Sequence, residues 1–270
     1  MLHAAARSRI IFFKRSSSMQ KKVLLIAAMI ALLGSALNAQ AITPFRVIAS
    51  TSWTAAFARA AGATDILTIA PFELQHPPEY ELKPSDLKAV AGARFLVYSG
   101  YERFATRLAE TAGTEGLTIA QVYTDNIPDT FKIEARKLAV LFGTLPAYEK
   151  WAASFDATTA AMKARVASAF PNKRVVAHKY LRTYAEWLGF KVVGVFGPGE
   201  SSPALLLDLV KARPVLVIDN YHNPSGKSVA EALRIPLVTL INLPGKDGTK
   251  TIEDVFSYNE QAFLAVPGKR

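Results

Sequence analysis

From Phe45 onward, short apolar runs alternate with stretches in which apolar residues return every three or four positions. That alternation is the pattern of an α/β chain with largely parallel strands. Strands are expected at Arg46 to Ala49, Ile66 to Ile69, Phe95 to Tyr98, Thr118 to Val122, Arg174 to Ala177, Lys191 to Val195, Val215 to Ile218 and Leu237 to Ile241. Helical periodicity falls between most of them, at Trp53 to Ala61, Tyr101 to Thr111, Tyr180 to Leu188, Pro203 to Ala212 and Ser228 to Leu233. A further helix start is read at Ser85, as N-cap, with Asp86 in the first turn and Leu87, Val90 and Ala91 following.

The longest periodic stretch, Pro146 to Phe170, places Trp151, Phe155, Met162 and Val166 on one stripe. Pro146 suits a first helical turn, and Pro171-Asn172 stops the helix. At 1.5 Å per residue such a helix spans nearly 40 Å, about the reach needed for a rod between two lobes. It lies between two groups of four strands. The expected architecture is therefore α/β, with two lobes, each a mainly parallel four-stranded sheet flanked by helices, joined by one long backbone helix. The boundaries are an N-terminal lobe over 42–145, the linking helix over 146–170 and a C-terminal lobe over 171–270.

Ahead of the first strand the chain reads as a leader. Lys21 and Lys22 precede the apolar run Val23 to Leu33, and Ala39-Gln40-Ala41 offers small residues at a signal-peptidase site. Residues 1–41 are expected to be a signal peptide cleaved near Ala41, with Met19 as a start that would make a complete signal by itself. The apolar run is shorter than the roughly 20 residues of a spanning helix. The leader also reduces the apparent charge. It carries six of the 32 basic residues and no acid, so the formal +10 falls to +4 on processing, and nucleic acid is not implied as a partner. With no cysteine the exported chain has no disulfide and no site for lipidation after its leader. A soluble, monomeric protein in the periplasm of a two-membrane bacterium is expected.

Three histidines remain beyond the leader, His76, His178 and His222, and each stands just past a predicted strand. In open α/β sheets, ligands bind outside the carboxyl ends of the strands. His76 is followed by Pro77 and Pro78, which stiffen its loop. Each histidine taken singly reads as a surface or hydrogen-bonded residue. Taken jointly, three imidazoles suit zinc, and admit manganese or iron(II) where carboxylates contribute. Glu79, Asp129 and Asn242 are the candidates for a fourth ligand, with Glu79 also readable as a solvated loop acid and Asp129 as a helix cap.

Further motifs carry a resemblance. Tyr80-Glu81-Leu82-Lys83-Pro84-Ser85-Asp86, then Ala91-Gly92-Ala93-Arg94-Phe95-Leu96-Val97-Tyr98-Ser99-Gly100, is similar to the zinc and manganese substrate-binding proteins of ABC transporters, the cluster A-I group. Val175-Val176-Ala177-His178, Gly194-Val195 and Glu200-Ser201-Ser202-Pro203 resemble the second lobe of that family in the same order. The resemblance runs over nearly all of Phe45 to Phe263. It implies two α/β lobes bridged by one helix, no catalysis, a divalent metal as cargo, and a membrane permease with its ATPase as partners. It also implies a first metal ligand where this chain has Pro78, a second near Ile127-Pro128-Asp129, a third at His178 and a fourth, an aspartate, where Asn242 stands. Only His178 keeps the family's residue. The expectation is a site rebuilt around His76, His178 and His222, with a chelated metal or a small organic ligand as the alternative.

Two other chemistries are weaker. His76 and Glu79 give a His-x-x-Glu spacing that a metal-dependent hydrolase would use, but prolines lie between them and no His-Glu-x-x-His helix occurs. Gly194 to Gly199 lacks the order of a nucleotide-binding loop, and Pro198 removes an N–H. Tyr98, Tyr101, Tyr123 and Tyr221 are candidates to line the cleft.

Overall fold

A computed structural model describes residues 46–111 and 116–266. The leader and its cleavage point lie outside them. The described chain builds two four-stranded, all-parallel sheets. The first comprises β1 (Arg46–Ala49), β2 (Asp65–Thr68), β3 (Phe95–Tyr98) and β4 (Thr118–Gln121), in the order β2-β1-β3-β4. The second comprises β5 (Arg174–His178), β6 (Lys191–Phe196), β7 (Leu216–Asn220) and β8 (Leu237–Leu240), in the order β6-β5-β7-β8. Both sheets thus follow one winding scheme, with the first strand of each central. Those central strands are the most apolar because helices cover both faces; Val47, Ile48 and Ala49 of β1, and Val175, Val176 and Ala177 of β5, are fully buried.

The helices are α1 (Ser52–Ala60), α2 (Pro84–Ala91), α3 (Arg103–Thr111), α4 (Pro128–Phe142), α5 (Leu145–Ala169), α6 (Arg182–Trp187), α7 (Pro203–Ala212), α8 (Lys227–Leu233) and α9 (Ile252–Ala265). The expected rod is α5, 25 residues long. Its inner stripe is Tyr148, Phe155, Thr159, Met162 and Val166, all buried. Trp151 lies half-buried beside it, stacked on Phe155 at 4.8 Å, with its indole N–H donating to Glu253 of α9.

Helix α2 starts differently from expectation. Lys83 is the N-cap, Pro84 takes the first helical position and Ser85 is already inside. Asp86 explains the shift. Its carboxylate reaches back to accept the Lys83 N–H at 2.8 Å and the Tyr80 hydroxyl at 2.9 Å, so the cap is closed by the third helical residue rather than by a serine.

The aromatic rings around α5 bind both sheets into one core. Phe155 meets Phe131 of α4 at 6.4 Å and Phe256 of α9 at 5.2 Å, while Phe256 packs on Tyr184 of α6 at 5.5 Å. One continuous apolar cluster consequently runs from Val47 of β1 to Leu240 of β8. Such T-shaped pairs add to the burial term, so Phe155 carries more than its own area. Phe155→Ala is expected to lower the free energy of unfolding in urea by about 3–5 kcal/mol; a loss below about 1 kcal/mol would show that the rod is not held by this cluster.

Candidate metal and ligand site

The carboxyl ends of the two sheets face one another through the segments that follow their strands. After β1, the Ser52 hydroxyl donates to the Pro244 carbonyl beyond β8 at 2.7 Å. After β2, Gln75 donates to the Tyr221 carbonyl at 2.7 Å, and His76 Nε2 stands 3.0 Å from Asn223 Oδ1, both partners lying beyond β7. Gly245 approaches the Phe72 carbonyl so closely, with φ at +132°, that a Cβ there would meet it at 2.3 Å. Only glycine satisfies both conditions.

This is also where unsatisfied polarity collects. Among the described residues, ten buried side-chain N or O atoms have no hydrogen-bond partner. Trp53, His76, Ser99 and Asn126 supply one each beyond the four strands of the first sheet. His178, Ser201, Asn220, His222, Ser225 and Asn242 do so at the ends of the second. Every strand contributes at least one. Leaving a buried polar atom unpaired costs about 1–3 kcal/mol, so atoms of this kind at the strand ends are candidates to meet a polar ligand.

His222 is buried, one residue past Tyr221, and its backbone N–H donates to Asn220 Oδ1 at 2.7 Å. Burial pushes its imidazole down to about 4; the facing Asn242 opposes that shift, and the charges of His76 and Lys246 add to it. His222 is therefore a neutral imidazole at neutral pH. Its Nδ1 and Asn242 Oδ1 both lack a well-aligned partner although the two side chains face each other. His76, Asn242 and His222 are thus brought together across the boundary between the lobes. Glu79 stands beside His76 and is largely exposed, its Oε1 3.2 Å from His76 Nδ1, at the end of the short turn Pro77–Glu79.

His178 is placed apart. It is fully buried at the end of β5, and its Nδ1 accepts the Tyr180 N–H at 3.2 Å. Its Nε2 lies against Gly197, where a Cβ would come within 2.6 Å of it and within 2.4 Å of the Ser225 hydroxyl. Burial lowers its pKa, while Asp219 works the other way. Asp129 is more distant in role. It sits in the exposed first turn of α4 and pairs with Lys132 at 3.3 Å, which in turn pairs with Asp156 of α5 at 2.7 Å. Among the described residues, no three His, Asp or Glu side chains are gathered closely enough to hold a metal as they stand.

Two buried carboxylates near the strand ends are absent from the expected set. Glu102, fully buried, accepts the Ser50 hydroxyl at 2.7 Å and the Gly100 and Ser99 N–H groups at 2.9 and 3.1 Å. Asp219 accepts the Asn220 and Ser225 N–H groups at 2.9 and 3.2 Å. Both are spent on ordering their own loops. Beside Glu102, burial and the nearby carboxylate push the Tyr101 phenol well up, against the polar side chains of Ser99 and Thr51, which lower it. The ring itself is 41 % exposed, so its hydroxyl end is the buried part. The pattern Thr51-x-x-Thr54, a capping box at the start of α1, is the sequence signal that would have drawn attention to this corner.

No protein-family description and no curated protein matches the sequence. Solved structures do match. A periplasmic metal-binding protein from Candidatus Liberibacter asiaticus superposes with a TM-score of 0.64 at 16% identity, over 82% of this chain and 98% of that one. The substrate-binding protein FpvC from Pseudomonas aeruginosa, solved in complex with Mn2+, gives 0.63 at 14% identity, over 82% and 96%. The laminin-binding protein Lmb of Streptococcus agalactiae, described as an adhesin with metal-transporting activity, gives 0.61 at 17% identity, over 82% and 98%. The chain has the two-lobed fold of these proteins.

The depressed histidines have a direct consequence for the metal-free protein. The unfolded chain takes up a proton on His222 near pH 6.5, which the folded chain refuses until about 4. Stability is complete above 6.5 and is lost as pH falls through that window, by about 3 kcal/mol for His222. Thermal unfolding of metal-stripped protein between pH 7 and 4 is expected to show this loss, and His222→Gln to flatten the curve. An unchanged slope in the variant would place the titration elsewhere.

Proposed function

We propose that this chain is the substrate-binding component of an ABC importer in the periplasm, a member of the cluster A-I group, carrying a divalent transition metal in the cleft between its lobes. The observation that carries the reading is the row of buried, unpartnered polar atoms at the facing strand ends, among them the neutral imidazole of His222 beside His76 and Asn242. The two-lobed fold shared with periplasmic metal-binding proteins supports it. Imidazole donors favour zinc, with manganese or iron(II) next where Glu79 contributes its carboxylate. The protein does no chemistry on its cargo. It captures the ion, presents it to a membrane permease driven by an ATPase, and works as a monomer after a signal peptide is removed near Ala41. The lobes of this proposal are residues 42–145 and 171–270, with 146–170 as the rod between them.

A second reading has an observation of its own. Tyr101, Tyr123 and Tyr180 expose their rings just beyond β3, β4 and β5, a rim suited to a metal held by a small chelator.

Anything that binds the folded state alone raises its stability by RT ln(1 + [L]/Kd). Metal-stripped protein is expected to unfold at a higher temperature in zinc, manganese or iron(II) than in magnesium at equal concentration. If only a preformed complex such as manganese citrate stabilises it, the chelate reading replaces the free-ion one. No stabilisation by either form refutes both.

A further inference from the structure

Resting on the metal-carrier reading, we infer that residues 71–79 form a strap that gates the cleft: it is latched to the second lobe at Gln75 and Gly245, and it lifts while the two lobes stay together.

The strap is anchored at both ends to its own lobe. Ile69 and Ala70 donate their N–H groups to the Ala49 and Ser50 carbonyls at 2.9 and 3.0 Å, continuing the pairing of β2 with β1. At the far end the Tyr80 hydroxyl donates to Asp86 at 2.9 Å, and its ring meets Phe104 edge-on at 5.3 Å. Between these anchors the one piece of regular structure is the turn Pro77–Glu79. The internal bonds are local, from the Leu74 N–H to the Pro71 carbonyl at 3.0 Å and from the Glu79 N–H to the His76 carbonyl at 3.1 Å. Among the described residues, no hydrogen bond ties 71–79 to the first lobe beyond its own anchors. Pro71, Pro77 and Pro78 fix φ along it, so the segment moves as a stiff piece.

Its outward contacts cross to the second lobe instead. The Gln75 amide donates to the Tyr221 carbonyl at 2.7 Å, and His76 Nε2 stands 3.0 Å from Asn223 Oδ1. The Phe72 carbonyl is seated over Gly245, where a Cβ would come within 2.3 Å of it. Gln75 is exposed, so water competes for its bond and the latch is weak.

The lobes are joined more firmly. One apolar cluster runs through both sheets, and the Ser52 hydroxyl donates to the Pro244 carbonyl from a buried position. Drawing the lobes apart at this mouth breaks that buried bond together with the strap contacts, whereas lifting the strap breaks the strap contacts alone. The strap is therefore the cheaper way in. Because it carries His76, lifting it also withdraws that imidazole from His222.

The chain has no cysteine, so spin labels on introduced cysteines report one pair of positions at a time. Pulsed electron double-resonance distances in the metal-stripped protein compare a strap pair, Glu73→Cys with Lys227→Cys, and a lobe pair, Arg59→Cys with Lys227→Cys, all at exposed sites. The strap pair is expected to show a main short distance and a minor longer one. Gln75→Ala is expected to raise the longer population about fivefold, the ratio that loss of one net hydrogen bond gives. Gly245→Ala, which crowds the Phe72 carbonyl, is expected to raise it at least as much. The lobe pair is expected to keep one distance throughout, and zinc to return the strap pair to the short one. If the two pairs lengthen together, the lobes open and the inference is overturned. A strap distance that Gln75→Ala and Gly245→Ala both leave unchanged overturns it as well. A strap released by these variants but indifferent to zinc supports the latch and removes the carrier reading.

Discussion

The two sheets face each other because a single helix holds them there. Trp151 and Phe155 of α5 stack together, and Phe155 then locks against Phe131 on one side and Phe256 on the other. Burying these rings is the favourable term that joins the lobes, and their edge-to-face geometry allows little sliding. A continuous 25-residue helix does not fold like a two-strand hinge. The polar ends of both sheets are also held in register across the gap by the contacts from Ser52, Gln75 and His76 to the loops beyond β7 and β8. Everything at the site depends on that register.

Within the gap, the chain departs from ordinary packing economy. Buried polar atoms are nearly always paired, yet among the described residues ten are left without partners, and the end of every strand of both sheets contributes. Meanwhile the carboxylates that are most deeply buried already have partners, Glu102 the Ser50 hydroxyl with the Ser99 and Gly100 N–H groups, and Asp219 the N–H groups of Asn220 and Ser225. Their charge stabilises the loops after β3 and β7 instead of facing the cleft. The groups left to face a cargo are imidazoles, amides and hydroxyls, with the exposed Glu79 carboxylate beside His76.

Much of the fold was legible because short parallel strands buried on both faces read as apolar runs. Phe95–Tyr98 and Pro203–Ala212 fall where expected, and the rod is shifted by one residue. The apolar periodicity predicts neither α4 nor α9. Ile133, Val140 and Leu141 are exposed on α4, and Leu264 is exposed on α9, so neither helix shows a clean apolar stripe. The site was less legible. Proximity of His76 to His222 follows from which loops cross between the lobes, through Gln75 and Asn223, and no spacing in the sequence encodes that. His178 turns its Nδ1 to a backbone N–H two residues away, and Asp129 pairs with Lys132 rather than facing the cleft.

Anomalous diffraction from crystals of the metal-loaded protein, recorded at the absorption edge of the metal, tests the central claim most directly. A single peak between the lobes, bonded to His76 from one side and to His222 from the other, is the expected result. No peak between the lobes would contradict it.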